Sequence, residues 1–404
     1  MLEVGLSIAV LLPDVADRRT SVVIIGLDPH KRTHTASALE PGTHRVLATL
    51  QIEATLAGYR QLLRWAGRFE SRRWAVENAR GLGRHLAQWL TTRGEQVADV
   101  ACSATARVRE LSRGRRKNDV LDAAAAASVA ALSGDATPVV VEDTATALAL
   151  LDERRANLVA HRTRLVNQLH AVLRDLIPGG ADTGLRAHSA SDALARVRPV
   201  GTVESIRKQL ARELVGEIRE VDARLKKLTT LMAQTVAEHG SGLPEVEGIG
   251  PVVAARLLGR TGHASRFPSA AAFASYAGVA PVEIASGDRA RHRLPRGGDR
   301  QLNYALHIVA LTQVRMRGST GRVYYNRKLT EGKTHNEAMR CLKRRLADHV
   351  WRIMLADERR TARAGGPGRT LGGDYGIQRG WLNPDHQLFG QVTSQTRQQQ
   401  LYGL

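Results

Sequence analysis

The 404-residue chain carries 59 Lys and Arg against 39 Asp and Glu, a formal net charge of +20, with 43% apolar and only 4% aromatic residues. That apolar content excludes a disordered basic tail, and the scarcity of aromatics argues against a surface that grips single strands by base stacking. The charge favours a polyanion held by its backbone, a duplex or a folded RNA, and the length allows two or three domains.

Residues 1–20 include an apolar stretch, but the first charge is the acidic Glu3 and no basic segment precedes it, so a secretory leader is not expected. No apolar run approaches the roughly 18 residues of a membrane span. Cys102 and Cys341 stand far apart, without partners at zinc-ligand spacing, which argues against disulfides and structural zinc. These features predict a reducing cytoplasmic setting with no membrane partner.

From 22 to 140, strand and helix signals alternate. SVVIIGLD, THTASALE and HRVLATLQIE read as three strands; Leu56, Tyr59, Leu62 and Leu63 give helical spacing. RRWAVEN follows as a strand, GRHLAQWLTTRG as a helix, EQVADVA as a strand and DVLDAAAAASVAALSG as a helix. This order predicts an α/β sheet with helices packed on it. From 144 to 240, Leu148, Leu151, Leu158, Leu165, Leu169, Val172 and Leu176 fit one long helix. After a polar stretch (179–202), Leu210, Leu214, Ile218, Val221, Leu225, Leu228 and Met232 form a heptad seam in a second. A helical hairpin or coiled coil results, closing within one chain or pairing two. Residues 243–355 read as a mostly helical third unit, and 360–404, rich in Gly, Gln and Arg, as a flexible tail.

Four acids have the contexts a metal-dependent nuclease needs. Asp28 ends the first strand and Glu77 a later one, where side chains leave the packed core. Asp119 and Asp122, three apart on a helix, share a face. Their hard oxygen donors suit Mg2+ or Mn2+, which clamp the attacking and leaving oxygens of phosphoryl transfer. Singly, each acid also reads as a solvated turn residue, and Asp119 as a helix cap.

GLDPHK, AVENARG and RRKNDVLDA together resemble the RuvC-like domain of DEDD-type insertion-sequence transposases, the insertion sequence 110 family, and of Piv-type DNA invertases. GIGPVVAARLLGRTGHASRFPSAAAFASYAGVAP, IASG and RGGDRQLNYAL resemble the family's C-terminal transposase domain. The resemblance spans roughly 22–140 and 243–315. It implies an RNase H-like N-terminal domain, a helical connector and a helical C-terminal domain. It also implies metal ligation by Asp28, Glu77, Asp119 and Asp122. Asn78-Ala79 stand where many members have a small residue, Thr and Gly, which alters the turn after Glu77 and not the ligand.

LPEVEGIGPVVAARLL reads as a helix-hairpin-helix, with Gly248 and Gly250 permitting a tight turn whose amides meet a phosphate, or as a simple helix-to-helix turn. IASGDRARHRLPRGG reads as an extended hairpin with Arg289, Arg291 and Arg293 at period two and Arg296 beyond. A Ser-Gly pair alone is a turn signal. The resemblance makes Ser286 the nucleophile of a composite site that attacks DNA beside the metal-bound acids and forms a phosphoserine link.

His30 and His34, about 13 Å apart if extended, do not make a chelating pair; His30 and Lys31 instead suit contact with the scissile phosphate. GKTHN lacks the upstream Gly of a phosphate loop. Arg107, Arg109, Arg113, Arg115, Arg116 and Lys117 favour nucleic-acid contact, and Lys343, Arg344 and Arg345 form a second basic patch. Tyr324 and Tyr325 read as packing or contact residues. The expectation is a transposase or site-specific recombinase acting on donor and target duplex DNA, with Mg2+ or Mn2+ as cofactor. The resemblance further implies a structured bridge-type guide RNA; a homo-oligomer, dimer or tetramer, is expected. The alternatives are a RuvC-like Holliday-junction nuclease using water, and a nucleic-acid-binding scaffold without catalysis.

Overall fold

The segment Val23–Pro29, VIIGLDP, is apolar at both alternating sets of positions, and as strand β1 it is buried on both faces. The structure, a computed structural model, describes residues 22–111, 118–132, 136–286, 289–293 and 297–364. Residues 1–20, Arg113, Arg115, Arg116, Lys117, Gly287, Arg296 and 365–404 lie outside that set. The chain divides into two units, residues 1–142 and 143–404.

In the first unit β1 is followed by β2 (Thr33–Leu39), β3 (Val46–Glu53), α1 (Leu56–Ala66), β4 (Arg72–Glu77) and α2 (Arg84–Thr91). Then come β5 (Val97–Val100), α3 (Cys102–Leu111), α4 (Asp119–Leu132) and the two-residue β6 (Thr137–Pro138). The sheet order is β3-β2-β1-β4-β5-β6. β1–β3 pair as an antiparallel meander, β4 and β5 join parallel, and β6 returns antiparallel. Helix α3 and strand β6 add to the sequence-based elements.

Strand period two sorts the side chains between two cores. Ile25, Leu27, Ala36, Ala38, Trp74 and Val76 pack with Tyr59 and Leu62 of α1 and Leu86 and Leu90 of α2. Ile24, Leu39, Ala75 and Val100 pack on the opposite face with Ala127 and Val129 of α4. The alanines let α4 lie against the strand. A Cβ built on Gly26 would stand 1.8 Å from the carbonyl oxygen of Ala123, so only glycine admits this approach. The Ser37 hydroxyl donates to the carbonyl oxygen of Val120 at 2.9 Å and fixes the start of the helix.

The second unit begins with α5 (Thr144–Arg174), capped by the Asp143 carboxylate accepting from the Thr146 amide. Helices α6 (Ala187–Arg196) and α7 (Gly201–His239) follow. Ion pairing of Arg162 with Asp222, and the 2.5 Å contact between Thr144 Oγ1 and His239 Nδ1, show that α5 and α7 run antiparallel. The hairpin therefore closes within one chain. Its seam departs from the strict heptad. Ala211 and Val215 are buried beside Ile218 and Val221, while Leu210 is 46% exposed. The reason is local: α6, within a stretch the sequence presents as merely polar, packs Ala190 and Leu194 into the same core.

After a 3-10 turn (Leu243–Glu245) come α8 (Pro251–Thr261), a second such turn (Ala264–Arg266) and α9 (Ala270–Tyr276). The hairpin β7 (Val282–Ser286) and β8 (Arg289–Arg293) follows, then α10 (Arg300–Arg315), α11 (Thr320–Thr330) and α12 (His335–Ala364). α12 carries the last helix five residues into the segment read as a tail. Phe273, Leu306, Leu342 and Val350 centre this core, which also takes Leu148 of α5 and Met232 of α7. An α/β unit followed by helices is the expected class. Among the described residues no helix is long and apolar enough to cross a membrane.

Candidate metal centre and serine hairpin

Two neighbouring parallel strands deliver the first pair of acids. Leu27 of β1 pairs with Val76 of β4, so Asp28 and Glu77 follow at the same, C-terminal, end of both. By parity both belong to the face covered by α4. That helix starts with Asp119, and Asp122 lies one turn on, only 4% exposed. The cap of α4 is Asn118, whose side-chain oxygen accepts from the Val120 amide at 3.0 Å. Asp119 is thereby freed from the capping role.

Asp28 is the centre of the cluster. It is 8% exposed, and its Oδ2 has no hydrogen-bond partner. Burial pushes its carboxyl up to about 6, opposed by His30 and reinforced by the negative charges of Glu77, Asp122 and Asp119. A buried carboxylate surrounded by three others is costly without a counter-charge. Ligand atoms of Asp28, His30 and Asp119 lie within 4.8 Å of one another. An orphaned oxygen among hard donors is the setting that a divalent cation suits.

Glu77 is oriented by its neighbours. The Thr105 hydroxyl donates to Glu77 Oε1 at 2.7 Å, and the Cys102 thiol, pushed up by burial and by the Glu77 charge, also bonds it. Beyond Glu77 the chain turns through Asn78 in the left-handed region, with φ of 51°. The Asn78 amide donates to the Val100 carbonyl, the Ala79 amide to the Asp99 carboxylate at 2.8 Å, and Arg80 pairs with Asp99. This network supports the turn that departs from the family pattern. Asp99 and Thr105 escaped the sequence reading; an acid beside the end of a buried strand was the available signal for Asp99.

The histidines part ways because the chain reverses at residues 30–33, where the His30 amide donates to the Thr33 carbonyl at 2.8 Å. His34 is buried against Tyr59, 3.4 Å from its hydroxyl, on the α1 face. His30 stays on the α4 face beside Asp28, and Lys31 is exposed in the turn.

In the second unit, the register opposes Ser286 to Arg289, Ile284 to Arg291 and Val282 to Arg293. Both roots of this hairpin are pinned. The Asp299 amide donates to the Tyr276 carbonyl at 2.7 Å, and Asn303 Nδ2 to the Gly278 carbonyl at 2.7 Å. Lys343 Nζ in turn donates to Asn303 Oδ1 at 2.5 Å, at a cavity of about 590 Å3 that His307 and Tyr304 also line. Lys343 is thus half-buried, and Arg344 is paired with Asp348. The three residues read as a basic patch, Lys343, Arg344 and Arg345, are all half-buried. Gly248 adopts a φ of 82°, and Gly250 precedes α8 as its N-cap.

Comparison of the sequence defines the class. A family model of the DEDD IS110 type, described as Transposase, matches residues 25–178, and a second, described as Transposase IS116/IS110/IS902 family, matches 240–326. Together they span more than half of the chain, which belongs to the IS110 family of insertion-sequence transposases. Among its relatives is the insertion element IS116 uncharacterized 44.8 kDa protein of Streptomyces clavuligerus, 28% identical over 381 residues, 83% of this chain and 95% of the relative. The insertion element IS900 uncharacterized 42 kDa protein of Mycobacterium paratuberculosis is 27% identical, covering 70% of this chain and 82% of the relative. A Thermus thermophilus RuvC structure in complex with a Holliday junction substrate aligns at 16% identity with a TM-score of 0.24, covering 29% of this chain and 99% of that one. The family assignment stands on the sequence models alone.

Proposed function

We propose that this transposase cleaves and rejoins DNA through a composite site, with Asp28, Glu77, Asp119 and Asp122 holding Mg2+ or Mn2+ and Ser286 as the nucleophile. The observation that carries the metal reading is Asp28: a buried carboxylate oxygen without a partner, surrounded by three more acids. The antiparallel meander continued by parallel strands supports an RNase H-like reading of residues 22–140. Residues 144–240 form the connector and 243–355 the C-terminal transposase domain.

A bound divalent cation would supply charge neutralisation at the phosphate and its leaving oxygen. The chain's own residues do the rest. Glu77, oriented by Thr105, and the α4 acids fix where charge is tolerated. The Ser286 Oγ–phosphorus bond forms as one phosphorus–oxygen bond of the DNA backbone breaks. The serine loses its proton and the departing sugar oxygen gains one. Rejoining reverses this with the hydroxyl of a second strand, so the phosphodiester count is conserved without an external energy source. Arg289, Arg291, Arg293, Lys31 and the glycines Gly248 and Gly250 contact backbone phosphates. The net charge of +20 suits a load of two duplexes and a guide RNA of the bridge type. The acting unit is a homo-oligomer in the bacterial cytoplasm.

The test is junction sequencing in cells carrying the gene with its native flanks. Wild type yields recombinant junctions; Ser286→Ala and Asp28→Asn yield none. Junctions that persist in Ser286→Ala remove the serine from the mechanism and favour metal-dependent hydrolysis with water as nucleophile.

A further inference from the structure

We infer that His30 is a nitrogen ligand of the cation held at Asp28 and Asp119, so that this position has a mixed oxygen and nitrogen donor set instead of carboxylates alone. The inference rests on reading the acids as a metal site.

Three observations carry it. First, among the described residues the compact donor group is Asp28, His30 and Asp119, with ligand atoms within 4.8 Å of one another; Glu77 and Asp122 are not in it. Donors bound to one ion at about 2.0–2.2 Å stand no more than about 4.4 Å apart, so this group needs only a small closure. Second, His30 Nδ1 stands 3.7 Å from Asp28 Oδ2. That is too long for a hydrogen bond and matches two ligands flanking an ion. Asp28 Oδ2 is buried and has no hydrogen-bond partner, so the imidazole does not satisfy it directly. Third, the His30 backbone is tied by its amide to Thr33, while its side chain is 45% exposed. The ring is held beside the strand end without packing that would lock it elsewhere.

Glu77 is differently engaged, with Oε1 taken by the Thr105 hydroxyl at 2.7 Å. It and Asp122 lie outside this compact group of donors. The chemical consequence is selectivity. Magnesium prefers oxygen donors and dehydrates reluctantly, whereas imidazole favours the later transition ions, with Mn2+ the weakest of that series and still able to accept nitrogen. The position should therefore bind Mn2+ more tightly than Mg2+, and removal of the imidazole should narrow the difference.

The experiment is pulsed electron paramagnetic resonance of Mn2+ added to the full-length protein, with Mn2+ and Mg2+ titrations of wild type, His30→Gln and Asp28→Asn. Expected are 14N modulation in wild type, its loss in His30→Gln, and at least about tenfold weaker Mn2+ binding in that variant with a smaller change for Mg2+. Mn2+ bound without 14N modulation, or modulation that persists in His30→Gln, overturns the inference and leaves the acid site standing. No Mn2+ binding by wild type overturns both. Since His30 is exposed, an unchanged thermal melt of His30→Gln separates ligand loss from unfolding.

Discussion

Replacing Gly26 by alanine should couple a packing defect to the metal site. The added Cβ would meet the Ala123 carbonyl oxygen at 1.8 Å and the Ala127 nitrogen at 2.8 Å, both backbone atoms of α4 that cannot swing aside. Restoring ordinary contact requires the helix to retreat by about 1.5 Å. Overpacking of this kind costs about 1–3 kcal/mol, partly offset by the ~0.4–1 kcal/mol gained from a stiffer unfolded chain. Asp119 and Asp122 move with the helix, and a misplacement near 1 Å in a reacting site typically costs about a hundredfold. The assay is urea denaturation paired with Mn2+ titration of Gly26→Ala. Expected are a loss of about 1–2 kcal/mol and at least tenfold weaker binding. Gly42→Ala, whose added Cβ meets nothing within 4 Å, serves as control and should change neither. Wild-type stability and affinity in Gly26→Ala would refute the seating of α4 on β1.

In the second unit, Arg256 and Asp152 make a bidentate pair, with side chains 12% and 8% exposed. Asp152→Ala should cost about 3–5 kcal/mol in denaturant unfolding by leaving a buried guanidinium unpaired, whereas Glu220→Ala, which removes the exposed partner of Arg224, should cost less than about 0.5 kcal/mol; equal effects would contradict the burial of the first pair. His34 is held below its ordinary value of 6.5, first by burial and then by the neighbouring His30 and His85. Below pH 6.5 the unfolded chain binds a proton there that the folded chain resists, so His34 contributes a stability that is present at higher pH and lost as pH falls. Denaturation midpoints from pH 7.5 to 5 should fall more gently in His34→Gln; a parallel curve would mean that His34 does not titrate against the fold.

The strand ends were legible because burial and chemistry coincide there. A β-branched run stopping at Asp28, and the apolar run Trp74 to Val76 stopping at Glu77, announce both the sheet and its exit point. Alanine over 123–127 announces a helix able to approach a strand, and Gly26 completes the signal only when the two are seen together. His30 was legible as a phosphate contact but not as a neighbour of Asp28. Treating residues 30–34 as one extended segment separates the histidines by distance, whereas the turn separates them by face and brings one of them to Asp28. Helix α6 was hidden because its buried residues, Ala190 and Leu194, are too few to mark a period. They bury only because α7 offers Ala211 and Val215 in place of the expected Leu210.

The antiparallel pair α5 and α7 leaves and re-enters the C-terminal core at one point, where Thr144 meets His239. Leu148, Met232 and Val236 belong to that core, while Leu158, Leu165, Ile218 and Val221 belong to a separate distal one. Cutting one heptad from each arm would shorten the excursion by about 10 Å and leave both feet where they stand. The hairpin is therefore a ruler spliced into the chain, its length set by the arms and its attachment by the base.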